Sequence, residues 1–146
     1  MTTPLPTEIL SASGPTDITS FTSAKVKALY FSSSWCGICK EMTPKLVDLF
    51  NEANKSENQL QVLFISGDMS EEDFETYYTK MPWLAVPFGE DATEELAEHY
   101  KVSALPSIIL VDSNGKVIKD KAQNDLKGIE TGSLGKVFES WKTLYA

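Results

Sequence analysis

The stretch Trp35-Cys36-Gly37-Ile38-Cys39-Lys40 contains both cysteines of the chain. It follows the continuous apolar run Ala28-Leu29-Tyr30-Phe31 and opens a helical pattern. A strand buried on both faces must therefore end in a turn, release the first sulfur and enter a helix directly. The first sulfur then lies beside the unpaired N–H groups of a helix start, which favour a thiolate over a thiol. Cys36 is the expected nucleophile. The second sulfur sits one helical turn further in, close enough to attack a mixed disulfide on Cys36 and release the partner reduced. Cys39 is the expected resolving cysteine, and the pair is expected to cycle through a redox-active disulfide.

A Cys-x-x-Cys pair is also half of a structural zinc site, but a closed site needs about four nitrogen or sulfur ligands. Beyond Cys36 and Cys39 the chain offers only His99, so no metal is expected. A structural staple is weak as well, since closing so short a loop constrains the unfolded chain little. The formal charge of −8 argues against nucleic acid and against anionic membrane as partners. All thirteen basic residues are lysine. The N-terminal residues carry no positive charge ahead of an apolar run, and no apolar run is long enough to span a bilayer. A cytoplasmic, monomeric protein without a cofactor is expected, and in such a compartment a dithiol is more often catalytic than structural.

At 146 residues and 42% hydrophobic content, one domain over 1–146 is expected, with 1–24 as an extension that carries a short edge strand at 8–10. Residues 25–31 predict a strand and 36–54 a helix, with Pro44 inside it as a predicted kink. A second buried strand over 61–66 leads through Ser70, a predicted cap, into an acidic helix at 71–80. The two prolines within 80–88 predict a buried loop, with Pro82 and Trp83 in the core. A helix follows at 92–100, with His99 on the surface. A third apolar strand over 107–111 and a Ser-Asn-Gly turn into 116–119 predict a hairpin, before a last helix at 133–144. The class is α/β in three layers: a mixed sheet flanked by helices, with three parallel central strands and an antiparallel C-terminal hairpin.

The dithiol at the end of the first central strand, with Leu105-Pro106 just before the third, resembles the thioredoxin fold. Three stretches resemble its tryparedoxin and nucleoredoxin branch: residues 30–36, the run 80–88, and Leu105-Pro106 with 107–112. The resemblance implies that the Leu105-Pro106 bond is cis and that the backbone of Leu105 faces the dithiol, where a substrate strand can pair with it. It also places Tyr30 where thioredoxin has a buried aspartate, and a phenol is no base near neutral pH. Another acceptor must take the proton of Cys39, and Asp68 is a candidate. The branch usually has Pro-Pro between its cysteines, where this chain has Gly37-Ile38. The N–H that Ile38 restores is expected to point at Cys36 and to favour the reduced state.

Trp35, Gly37, Ile38, Leu105 and Pro106 are the expected substrate-binding residues, with Trp35 presenting an aromatic face to the partner. Lys40 is read as an ordinary helix lysine, as readily as a charge that favours the Cys36 thiolate. The resemblance implies a thiol-disulfide oxidoreductase of cell redox homeostasis that reduces disulfide-containing proteins and is recycled by a dithiol or a reductase. That donor would be trypanothione, glutathione or thioredoxin reductase. The alternative is a redox-sensitive protein-binding module of nucleoredoxin type. A thiol peroxidase is disfavoured because the chain has no arginine to stabilise its leaving oxygen.

Overall fold

The computed structural model describes residues 5–89 and 91–145. In chain order its elements are β1 (Glu8–Ser11), β2 (Gly14–Asp17), α1 (Thr19–Thr22), β3 (Val26–Ser32), α2 (Gly37–Ala53), β4 (Leu60–Ser66), α3 (Glu71–Tyr78), β5 (Leu84–Ala85), α4 (Asp91–His99), β6 (Ser107–Val111), β7 (Val117–Lys119) and α5 (Leu134–Thr143). Short 3-10 turns at Ala122–Asp125 and Thr131–Ser133 join β7 to α5.

The seven strands form one mixed sheet in the order β2-β1-β5-β4-β3-β6-β7. Every residue of β3 is buried, because the strand lies inside the sheet and helices cover both faces. Alternation along the strands sorts their side chains into two cores. Tyr30, Val62, Phe64 and Leu110 pack with residues of α2, α3 and α5 on one face. Leu29, Phe31, Ile65 and Ile109 pack with Phe21 of α1 and Leu96 of α4 on the other. Trp83 is buried and packs edge-on to Tyr30, whereas Pro82 beside it is exposed rather than in the core.

The architecture matches the three-layer expectation, with three differences. The apolar patch at 8–10 is no edge strand: β1 pairs with β5 on one side and β2 on the other. A tight turn makes that hairpin, closed by Ser11 Oγ donating to Gly14 O at 2.8 Å, with Gly14 at a φ of 122° that suits only glycine. Pro15, which has no N–H to give, lies on the true edge strand. Second, the run 80–88 is not all loop. Its prolines bracket the two-residue strand β5, which pairs parallel with β4, and Val86 N donates to Phe64 O at 2.9 Å. Third, β6 runs antiparallel to β3, not parallel, with Ser107 opposite Phe31. The chain therefore enters β6 at the end of the sheet where β3 stops.

Ser70 caps α3 as expected, its Oγ accepting from Asp73 N. Pro44 lies inside α2, where its missing N–H leaves the Lys40 carbonyl without the usual helical donor.

Candidate active site

Three chain segments meet where β3 and β4 end and β6 begins. Gly67 shows how closely they pack: a Cβ there would come within 3.2 Å of Leu105 Cδ1 and 3.5 Å of Ser33 Cβ. Gly67 N donates to Ser32 O at 2.8 Å, which ties the β4 exit to the turn that carries the dithiol.

Asp68 holds that turn. Its Oδ1 accepts from Ser34 N at 2.8 Å, Ser34 Oγ at 2.5 Å and Ser33 Oγ at 3.3 Å, and its Oδ2 accepts from Ser66 Oγ at 2.7 Å. Oδ1 thus serves the serine run and Oδ2 serves Ser66, not Cys39. The carboxylate considered as a proton acceptor is a clamp on the residues leading into Cys36.

Cys36 is the N-cap of α2, with extended backbone, and its Sγ accepts from Cys39 N at 3.2 Å. This differs from the expectation for Ile38: the backbone donor bonded to Cys36 belongs to the third helical residue, the usual partner of an N-cap acceptor. The Cys36 thiol is half-buried and reaches Leu105 O at 3.9 Å. The Leu105–Pro106 bond is cis, and Pro106 is buried. The structure thus brings Leu105 and the dithiol together. Cys39 is fully buried behind Cys36, and both cysteines are free thiols. Burial pushes the Cys39 thiol up to about 11, and the Cys36 side chain adds to the effect. The Ser32 hydroxyl and the Ser33 backbone act in the opposite direction.

Around Cys36 the surface is apolar and open. Trp35 is 63% exposed, with its Nε1 donating to Gly67 O at 3.1 Å, and Ile38 is 60% exposed. Gly37 is exposed beside them. A cavity of about 430 Å³ runs from Trp35 and Cys36 past Phe31, Ile65 and Leu105 to Glu94. Glu94 also lines a second cavity, with Asp68 and Asp91. Lys40 and His99 are exposed. No cluster able to hold a metal ion occurs among the described residues.

Sequence reasoning missed a set of hydroxyls beneath Cys39. Tyr30 OH lies 2.6 Å from Thr43 Oγ1, which lies 2.7 Å from Tyr77 OH, which lies 2.6 Å from Ser32 Oγ. Thr43 also donates to Cys39 O at 3.0 Å. Burial raises the Tyr30 phenol far above its ordinary value, so this residue offers no base in place of an aspartate. The only signals in the sequence were the placement of Tyr30 and the serine run 32–34, since Thr43 and Tyr77 arrive from separate helices.

A mixed sheet that presents a half-buried thiol at a helix start, backed by a second buried thiol and faced by a cis-proline turn, defines a dithiol protein of thioredoxin architecture. Comparison with known proteins agrees. A family model described as thioredoxin-like matches residues 24–117. The chain is 38% identical to tryparedoxin of Trypanosoma brucei brucei over 119 residues, 80% of this chain and 81% of that one. It is 45% identical to probable nucleoredoxin 1 of Arabidopsis thaliana over 93 residues, 63% of this chain but only 16% of that much longer relative. Among solved structures, tryparedoxin II complexed with glutathionylspermidine superposes with a TM-score of 0.75 at 33% identity, covering 83% of this chain and 85% of that one. The chain belongs to the thioredoxin-like family, in its tryparedoxin and nucleoredoxin branch.

Proposed function

We propose that the protein is a thiol-disulfide oxidoreductase that reduces disulfides of partner proteins. The observation that carries this reading is the asymmetry of the pair: Cys36 half-buried at the helix start, Cys39 fully buried behind it. In the first step Cys36 Sγ attacks a sulfur of the partner disulfide, forming a mixed disulfide and expelling one partner thiolate. In the second, deprotonated Cys39 Sγ attacks Cys36 Sγ, and the remaining partner sulfur leaves with the bonding pair. Two electrons pass to the partner, and a Cys36–Cys39 disulfide remains to be reduced by a donor. Trp35, Ile38 and the backbone at Leu105 receive the partner, since they surround the attacking sulfur.

The donor in this reading is a small dithiol or a thiol reductase. A relative in this branch binds glutathionylspermidine, a thiol carrying a polyamine cation. The cavity beside Cys36 ends at Glu94, near Asp68 and Asp91, which suits a cationic thiol. The test is reduction of insulin disulfides with glutathione, a polyamine-conjugated dithiol and thioredoxin reductase supplied in turn. Catalytic turnover with one of them is expected. Stoichiometric binding without turnover under every donor would overturn the enzymatic reading in favour of a redox-gated binding module.

A further inference from the structure

The second step of the proposed exchange, on which this inference rests, must remove a proton from a thiol buried in the core. Tyr30 occupies the place of a carboxylate, and Asp68 is engaged by Ser33, Ser34 and Ser66. What lies beneath Cys39 is a line of hydroxyls. Ser32 Oγ, whose hydroxyl favours the Cys39 thiolate, is 2.6 Å from Tyr77 OH, and the same set of hydroxyls reaches Cys39 O through Thr43 Oγ1 at 3.0 Å. Tyr77 OH in turn is 2.7 Å from Thr43 Oγ1. Ser32 is completely buried, Tyr77 is 3% exposed and Thr43 4%. Tyr77 and Thr43 form the wall of a cavity of about 360 Å³ whose rim carries the exposed Lys40, Asp48 and Lys80. The line therefore runs from the residues packed around Cys39 to the wall of that cavity, on the face of the sheet opposite the cavity beside Cys36.

We propose that Ser32 and Tyr77 relay the proton of Cys39 to solvent in the cavity lined by Lys40, Asp48 and Lys80. The Cys39 thiol gives its proton to Ser32 Oγ, Ser32 passes its own to Tyr77 OH, and Tyr77 passes its own to a solvent base such as hydroxide or a buffer anion. Each hydroxyl ends with one proton, as it began, so neither alcohol nor phenol has to ionise in the core. The electron pair left on Cys39 Sγ forms the bond to Cys36 Sγ, the bond from Cys36 to the partner breaks, and the expelled thiolate takes a proton from solvent. The charged and titratable groups facing the route are Cys36, Tyr30, Lys40, Asp48 and Lys80. Tyr77 and Ser32 act through Cys39 and are positioning residues.

Stopped-flow reaction of the reduced protein with 5,5′-dithiobis(2-nitrobenzoate) separates the steps, because attack by Cys36 releases one coloured thiolate and attack by Cys39 releases the second. Tyr77→Phe keeps the ring that packs edge-on to Phe64, and Ser32→Ala cuts the line at its first link without touching an aromatic. In both variants the first release is expected at the wild-type rate. The second is expected about tenfold or more slower at neutral pH, recovering as the pH approaches that at which Cys39 ionises unaided. A second release within about twofold of wild type in both variants would overturn the relay, as would equal slowing of both releases at all pH. Failure of the wild type itself to give a second release would instead overturn the dithiol exchange.

Discussion

Burial gives two identical side chains, three residues apart, different chemistry. Cys39 is fully enclosed, and desolvation lifts its thiol from the ordinary 9.0 to about 11. Because the folded state holds this proton more tightly than the unfolded chain, Cys39 contributes stability that is intact below pH 9.0 and is lost as the pH rises through about 11. Urea unfolding of the reduced protein should show it: between those limits the wild type is expected to lose stability faster than Cys39→Ala, and parallel profiles would contradict the assignment. The sequence made the placement of the two cysteines readable because a helix start is a local pattern. It did not reveal Ser32, Thr43 and Tyr77 as a unit, since their hydroxyls meet only when β3, α2 and α3 pack. It also left Asp68 open, because a carboxylate after a strand reads as a base or as a turn residue until its partners are known.

At the scale of elements, the first turn of α2 fixes the dithiol. The donor to Cys36 is Cys39 N–H, which a proline at 38 would leave in place. What Ile38 changes is the freedom of the intervening loop, worth about 0.4–1 kcal/mol against closing the disulfide. For a two-electron couple this makes the protein a weaker reductant than Ile38→Pro by roughly 10–20 mV. Glutathione redox titration of the two proteins measures it, and an equal or lower potential for the wild type would contradict it. Helices α2 to α5 and the buried strands β3, β4 and β6 were legible within a residue or two, because apolar runs and the Ser70 cap are strong local signals, whereas the four-residue α1 was read as loop. The strand β5 was not legible, since two residues between prolines carry no periodicity and their pairing is set by β4 and β1. The direction of β6 was hidden for a similar reason: an apolar run shows that a strand is buried but not which way it points.

Across the whole molecule, the sheet brings three distant segments to one end. The exits of β3 and β4 and the entry to β6 converge on Cys36, with one cavity beside it and another on the opposite face. The central claim is that Cys36 attacks and Cys39 resolves, and trapping tests it most directly. Cys39→Ser incubated with a disulfide-bonded protein such as insulin, then digested and mapped by mass spectrometry, should hold a stable mixed disulfide on Cys36, while Cys36→Ser should hold none. An adduct on Cys39 in Cys36→Ser, formed as fast as that on Cys36 in Cys39→Ser, would contradict it.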